Sequence, residues 1–228
     1  MNGIAKALFV NAVGRLPDFS PVINQFSSWI QFSHWCISRG RYDFRKHPHA
    51  ERAPYFDRIL RVEQLAAAEF DFLEFGVYQG ESLRWWRDHA EHRACRFVGF
   101  DTFSGLPQGW RDRPVGYFTT HGQIPEMNDT RFSFCVGLFQ DTLPTFLKTF
   151  RRERRLVLHL DADLYSSTLF VLMAFAAILR NGDLLLFDEF SCASHEFRAF
   201  QDFISVFDRP YIMVDSSANF TQVCLRVK

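Results

Sequence analysis

The chain has 228 residues, of which 47% are hydrophobic and 23% charged, a composition that predicts one globular domain and excludes general disorder. Its 26 basic and 26 acidic side chains cancel, so no field of one sign would attract a polyanion, and nucleic acid is not an expected partner. Five dispersed cysteines without a CxxC spacing argue against a disulfide framework or a zinc knuckle and favour a cytoplasmic location. No run has the length and character of a signal peptide or a transmembrane helix.

Residues 1–70 differ from the rest of the chain, and we predict that they form a helical appendage. Trp29, Phe32 and Trp35 are spaced for one face of an amphipathic helix, and a basic, turn-rich stretch covers residues 39–51. Such an aromatic stripe is more typical of core packing or a subunit contact than of a membrane anchor. The pattern therefore leaves a homo-oligomer open, and the basic stretch leaves peripheral membrane contact open.

Residues 71–228 alternate short apolar runs with helical patterns, which is typical of a parallel sheet with helices on both faces. The predicted strands are residues 72–75, 96–100, 132–138, 156–160, 184–187, 211–214 and 220–227, and the predicted helices are residues 81–89, 142–150, 167–180 and 195–207. Asp141 is the predicted N-cap of the second helix, and the last two strands are expected to pair antiparallel. The fold class is therefore α/β, with a Rossmann-like seven-stranded sheet.

The turn after the first strand is glycine-rich, and acids follow the first two strands. Glu74 precedes a turn at residues 76–80, and Asp101 ends the second strand, at the edge where open parallel sheets bind ligands. The turn is not GxGxxG and no phosphate-binding lysine follows it, which weakens the dinucleotide and P-loop interpretations. A carboxylate at Asp101 suits the ribose hydroxyls of a nucleoside. S-adenosylmethionine is favoured over NAD because its cationic groups tolerate an acidic lining.

Three further carboxylates follow neighbouring strands and predict a metal site. Asp161 ends the fourth strand, and Asp188 and Glu189 end the fifth. Hard oxygen donors of this kind select magnesium or calcium over zinc, and magnesium would bind and acidify a substrate hydroxyl. The alternative is that these acids only cap the helices that follow each strand.

Five segments carry a family resemblance, at residues 72–82, 99–107, 137–144, 160–168 and 187–190. They resemble the macrocin O-methyltransferase family of class I methyltransferases, and the stretch Asp-x-Asp-Leu-Tyr-x-Ser-Thr is the most specific part. The resemblance implies S-adenosylmethionine as methyl donor, a magnesium-dependent reaction on a sugar hydroxyl, and metal ligation by Asp161, Asp188 and Glu189. The family commonly has two aspartates and a tyrosine where this chain has Asp188, Glu189 and Phe190.

The motifs define the predicted site residues. The predicted catalytic residues are Asp161 and His195, the latter as general base. Asp163 and Tyr165 are interpreted as structural, with Asp163 turned away to bind backbone amides, and His159 as a core residue with a satisfied ring. The predicted cofactor-binding residues are Glu74, Gly76, Tyr78, Gly80, Ser82, Asp101, Thr102, Ser104, Gln140, Asp141 and Asp161.

The long loop at residues 102–131 is predicted to act as a lid over the site. The expected acceptor is a small molecule or glycan with a free hydroxyl, such as a nucleotide sugar, a surface polysaccharide or a glycosylated natural product. Two rival hypotheses are a non-catalytic scaffold that binds S-adenosylmethionine and an NAD-dependent dehydrogenase.

Overall fold

The computed structural model of the protein describes residues 3–40, 43 and 52–228. Most of the predicted basic stretch at residues 39–51 lies outside these described residues. The helices are α1 (Gly3–Val13), α2 (Ser20–Arg39), α3 (Arg52–Val62), α4 (Glu81–His89), α5 (Phe139–Thr149), α6 (Tyr165–Phe175) and α7 (Arg198–Phe207). The strands are β1 (Phe70–Phe75), β2 (Arg96–Asp101), β3 (Phe132–Val136), β4 (Arg155–Leu160), β5 (Leu184–Phe187), β6 (Tyr211–Ser216) and β7 (Val223–Val227).

The strands form one seven-stranded sheet in the order β3-β2-β1-β4-β5-β7-β6. The first five strands are parallel, and β7 pairs antiparallel with both β5 and β6. This confirms the predicted Rossmann-like fold and its antiparallel end. The strand order reverses between β1 and β4, and ligands of open α/β sheets bind beside such a switch point.

Both faces of the sheet are covered by helices, because β1 and β5 are buried along their whole length and need apolar cover on each side. One hydrophobic cluster joins the sheet to α2, α5, α6 and α7, and the other joins it to α3 and α4. The largest side chains in the second cluster include Tyr55, Phe56 and Trp86, all at most 1% exposed. Each such burial stabilises the fold by about 1.5–3 kcal/mol.

Helix boundaries differ from the predicted ones in three places. Helix α5 begins at Phe139, so Asp141 lies in its first turn and is not the N-cap, which is Leu138. Helix α6 begins at Tyr165 and ends at Phe175, earlier at both ends than predicted. The predicted helix at residues 195–207 is a π-helical turn, Ala193–Phe197, followed by α7. A period of 3.6 residues does not distinguish such a turn from an α-helix.

Helix α2 carries two apolar faces. Phe32 and Trp35 are buried in the core against Phe190 and Phe197, whereas Trp29 is 45% exposed. The far side of the helix exposes large apolar side chains, namely Val22, Ile23, Phe26, Ile30 and Ile37. The predicted stripe is therefore mainly core packing, and a homo-oligomer or a peripheral membrane contact stays a prediction. Within the described part of the chain, none of the helices has the length and apolar character that a bilayer span needs.

The five cysteines all lie within the described residues and are free. Cys36, Cys95 and Cys224 are buried, and Cys135 and Cys192 are partly exposed. Burial raises the pKa of Cys36 to about 12, and it raises the pKa of Cys95 as well. These thiols therefore stay protonated in the core and act as small apolar side chains.

Candidate active site

A cavity of about 660 Å³ opens at the carboxyl ends of β1, β2, β4 and β5. This volume falls in the range typical of small-molecule sites. Its wall combines the turn after β1, part of the 102–131 loop, the start of α5, the acids that follow β4 and β5, and side chains from α3 and α4. The cavity therefore lies beside the switch point of the sheet.

The turn after β1 depends on Gly76, which has a φ of +97°. A Cβ at this position would lie 1.8 Å from the carbonyl oxygen of Asp161, so only glycine lets the turn pass so close to the end of β4. The Gly76 amide donates to the Phe100 carbonyl at 2.9 Å, and the Asp161 amide donates to the Phe75 carbonyl at 3.0 Å. The backbone thus holds the glycine turn directly beside Asp161.

Asp101 anchors this turn. Its Oδ2 accepts hydrogen bonds from the amides of Val77 at 2.7 Å and Tyr78 at 2.8 Å, and its Oδ1 accepts one from the Phe103 amide at 2.8 Å. Tyr78 and Phe103 both have positive φ values, of 51° and 56°, a strained conformation that these charge-assisted bonds help to maintain. Asp101 also lines the cavity, where a contact with ribose stays a prediction.

Glu74 lies behind the glycine turn and is fully buried. Its Oε1 accepts a hydrogen bond from the Ser82 hydroxyl and lies 3.1 Å from His159 Nδ1. Glu74 Oε2 and His159 Nε2 are buried without a partner among the described residues. The prediction of a fully satisfied His159 ring is therefore wrong, since only one of its nitrogens is bonded. Glu74 does not belong to the cavity wall.

Four carboxylates also line the cavity: Asp161, Asp163, Asp188 and Glu189. Burial, and then the charge of Asp188, raises the pKa of Asp161 well above its ordinary value. Burial and Glu189 raise the pKa of Asp163 to about 8, and burial and Asp188 raise the pKa of Glu189 to about 7. Such mutual repulsion in a low-dielectric cleft favours the binding of a cation. The structure also corrects the interpretation of Asp163, which faces the cavity.

Two of these acids, Asp161 and Asp188, contact Arg52 of α3. Its Nη2 donates to Asp188 Oδ2 and lies 3.5 Å from Asp161 Oδ2. Glu189 instead lies 3.9 Å from Arg111 Nη1 and 3.8 Å from the Cys192 sulfur. Asp161 and Asp188 fit a divalent cation because they offer hard oxygen donors, and Asp188 Oδ1 is buried without a partner among the described residues.

The three predicted metal ligands do not converge as closely as expected. Among the described residues, the set of three whose ligand atoms all lie within 4.8 Å of one another is Glu74, His159 and Asp161. Asp161 is common to this set and to the predicted one. Ligation by Asp188 and Glu189 therefore stays a prediction.

Part of the long loop at residues 102–131 forms an aromatic wall. Trp110 is 2% exposed, and the guanidinium of Arg113 lies 5.3 Å from its ring centroid and 4.9 Å from that of Phe118. This stacking orders the loop over the cavity. Movement of the loop as a lid stays a prediction.

Residues 73–190 match the model of a family described as a methyltransferase domain, and this span is more than half of the chain. The chain belongs to this methyltransferase family. Membership does not fit the dehydrogenase hypothesis. No curated protein matches the chain in sequence.

Solved methyltransferase structures have a similar fold. CalS11, a calicheamicin methyltransferase, is 20% identical, with a TM-score of 0.62 over 79% of this chain and 80% of its own. The O-methyltransferase NovP is 21% identical, with a TM-score of 0.57 over 74% of this chain and 78% of its own. CmcI, in a structure described as holding Mg and SAM, is 19% identical, with a TM-score of 0.52 over 80% of this chain and 72% of its own. At these identities the likeness concerns the fold.

Most of the predicted site residues of this methyltransferase lie in the cavity wall: Gly76, Tyr78, Ser82, Asp101, Thr102, Gln140, Asp161, Asp188 and Glu189. Glu74, Gly80, Ser104, Asp141 and His195 lie outside it. Nδ1 of His195 accepts a hydrogen bond from the Tyr165 amide at 3.4 Å, and burial and Arg111 lower the pKa of this histidine. The structure therefore does not bring His195 to the cavity as a general base.

The structure adds wall residues that the motifs did not predict, among them Arg52, Phe56, Trp85 and Asp163. Asp163 lies inside the most specific motif, two residues after Asp161. That position could have indicated that Asp163 belongs to the cavity wall. In the structure its φ is 59°. Arg52 is 109 positions from Asp161 in sequence. No sequence pattern connects it to the acids.

Proposed function

We propose that this chain is an S-adenosylmethionine-dependent O-methyltransferase that modifies a hydroxyl of a sugar or a glycosylated small molecule with the help of magnesium. The observation that carries the proposal is that one cavity combines the Gly76 turn, anchored by Asp101, with the carboxylates of Asp161 and Asp188. The glycine turn with its carboxylate suits a nucleoside, and the pair of carboxylates suits a divalent cation. The family match supports the transfer of a methyl group.

The chain's own residues would position the donor. The Gly76 turn allows close approach of a ligand to the backbone, and Asp101 holds the amides of Val77 and Tyr78 in place. The remaining lone pairs of Asp101 are available to ribose hydroxyls. Fixing the reacting groups in one geometry is the main contribution a methyltransferase of this kind makes to the rate. S-adenosylmethionine would supply the electrophilic methyl group.

The acids would position the acceptor through a cation. Asp161 and Asp188 are the residues we expect to hold magnesium, with Glu189 as a third ligand after a change of its side-chain conformation. When bound, magnesium would lower the pKa of the acceptor hydroxyl. Phe56, Trp85, Trp110 and Phe118 would shield the cavity from water, because they place aromatic surface on its wall.

The acceptor class rests on the resemblance to macrocin O-methyltransferases and on the similar fold of CalS11, which is described as a TDP-rhamnose 3'-O-methyltransferase. Nucleotide sugars are therefore the first acceptors to test. Glycosylated natural products and polysaccharide fragments form the second group. Each of these molecules offers a free hydroxyl beside a ring that the aromatic wall can contact.

The test is methyl transfer from labelled S-adenosylmethionine to a panel of these acceptors, with magnesium and with EDTA. We expect labelled product with magnesium and a strong loss of turnover with EDTA. Unchanged turnover in EDTA would remove the metal from the proposal. Calorimetry with S-adenosylhomocysteine, combined with this assay, distinguishes the enzyme from the scaffold. The scaffold hypothesis predicts that the cofactor binds and that no acceptor gives a product.

A further inference from the structure

Arg52 occupies the position between the two acids that the proposed function assigns to a metal. A single nitrogen, Nη2, contacts both Asp161 Oδ2 and Asp188 Oδ2. The Asp188 side chain is 1% exposed, whereas that of Arg52 is 25% exposed. The guanidinium therefore keeps some contact with solvent while it binds a carboxylate that has almost none.

The contact with Arg52 offsets negative charge of Asp161 and Asp188 but leaves some of their hydrogen-bonding groups without partners. An arginine and a carboxylate bind best as a fork, with two parallel hydrogen bonds. Here Nε of Arg52 and Oδ1 of Asp188 are both buried without a partner among the described residues. An incompletely bonded buried ion pair recovers only part of its desolvation cost. This ion pair is therefore one that another cation can replace.

Arg52 cannot leave by losing its proton. A guanidinium is not deprotonated in proteins. The guanidinium thus stays charged, and a metal ion and Arg52 exclude each other at the same two oxygens. Only a movement of the side chain resolves this conflict.

We propose that Arg52 is an internal counter-ion that competes with the divalent cation for Asp161 and Asp188 and thereby sets the metal affinity of the site. The inference rests on the proposed function for its metal. It adds a specificity-determining residue from α3. It also predicts that the guanidinium is released when the cation binds.

The direct test is calorimetric titration of the full chain with Mn²⁺, with neither cofactor nor acceptor present. In Arg52→Gln we expect Mn²⁺ affinity to rise by about tenfold or more, because the competitor is gone. In Arg52→Lys we expect a smaller rise, since the positive charge remains on a shorter side chain whose donors are placed differently. Unchanged or weaker Mn²⁺ binding by Arg52→Gln, or no binding by any of the proteins, overturns the inference.

A matched control separates competition from general electrostatics. Arg111→Gln removes the same charge from a residue that is 57% exposed and lies 3.9 Å from Glu189. We expect its Mn²⁺ affinity to stay within about threefold of wild type. Equal gains in Arg52→Gln and Arg111→Gln would mean that Arg52 acts only through net charge, which also overturns the inference.

A second measurement needs no variant. Phenylglyoxal modifies accessible arginines, and mass spectrometry gives the rate at Arg52 in the wild-type protein, with Arg111 as internal reference. We expect Mn²⁺ to accelerate modification of Arg52, whereas protection by Mn²⁺ overturns the inference. Binding of S-adenosylhomocysteine is measured in the same samples. If the cofactor fails to bind while Mn²⁺ releases Arg52, the proposed function fails and the competition stands.

Discussion

The two sides of the cavity neutralise their negative charge in different ways. On the cofactor-turn side, the carboxylate of Asp101 accepts hydrogen bonds from three backbone amides. On the acidic side, Asp161 and Asp188 share one guanidinium, and an oxygen of Asp188 is left without a partner among the described residues. The first side is held by backbone hydrogen bonds, whereas the second depends on one long side chain, that of Arg52.

This difference separates two kinds of binding. A preorganised wall binds its ligand without reorganisation, so the turn is expected to bind S-adenosylhomocysteine without metal. The acidic side carries surplus negative charge that responds to pH and to cations.

The largest effect is expected for Gly76→Ala. The new Cβ would lie 1.8 Å from the Asp161 carbonyl oxygen, so we expect the free energy of unfolding to fall by about 4 kcal/mol and S-adenosylhomocysteine binding to be lost. Gly182 is the matched control, because it has a φ of +96° and nothing within 4 Å of its added Cβ. Gly182→Ala should cost only about 1–2 kcal/mol. Equal costs in urea unfolding would contradict the close approach.

The second prediction concerns pH and the acidic side. The pKa of Asp163 is raised to about 8 and that of Glu189 to about 7, both mainly by burial, so between about pH 4 and these values the folded protein binds more protons than the unfolded chain. The stability these groups contribute is complete below about pH 4 and is lost as the pH rises through 7 and 8. Without metal we expect a fall on the order of 3 kcal/mol between pH 5 and 8.

Urea unfolding across that pH range measures the effect. Asp163→Asn should weaken the dependence of the free energy of unfolding on pH. Asp112→Asn, which changes an exposed residue of the neighbouring loop, should leave that dependence unchanged. A slope that is the same in both variants would show that Asp163 does not hold its proton in the folded protein.

The third prediction disturbs the anchor of the turn. Asp101→Asn replaces the charged acceptor of three amides, and hydrogen bonds to a charged group contribute about 1.5–3 kcal/mol. We expect S-adenosylhomocysteine to bind about 10- to 100-fold more weakly. Asp141 is exposed in the first turn of α5, and Asp141→Asn provides the comparison. If Asp141→Asn weakens binding as much, the cofactor extends to α5 and the anchor is not the decisive contact.

The smallest effect is expected behind the turn. Ser82 donates to the buried Glu74, and Ser82→Ala leaves that oxygen with His159 alone, so we expect a loss of about 1–2 kcal/mol of stability. Ser104 is exposed, and Ser104→Ala should stay within about 0.5 kcal/mol of wild type. A loss in Ser104→Ala equal to that in Ser82→Ala, seen by thermal unfolding, would count against the buried contact.

The sheet was predictable because buried parallel strands are apolar runs, and the strand-end acids were predictable because topology places those ends on one edge. Helix ends were less predictable. Asp141 has a residue type suited to an N-cap, but Leu138 takes that position since packing of Phe139 begins the helix earlier. The π-helical turn before α7 has no pattern of its own.

The chemistry of the site was predictable only in part. The orientation of Glu74 toward Ser82 and His159 depends on three segments that meet in the core. Arg52 reaches Asp161 across 109 positions of sequence. Side-chain direction and contacts between distant segments are set by tertiary packing, which a single sequence does not display.

The burial of Cys36, Cys95 and Cys224 gives the molecule an internal reporter. A thiol-alkylating reagent reacts with the thiolate, so these three sites will react only when the core opens, while the partly exposed Cys135 provides a reference in the same sample. The rate of labelling at each site, read by mass spectrometry, then measures how often the helices on either face of the sheet detach from it.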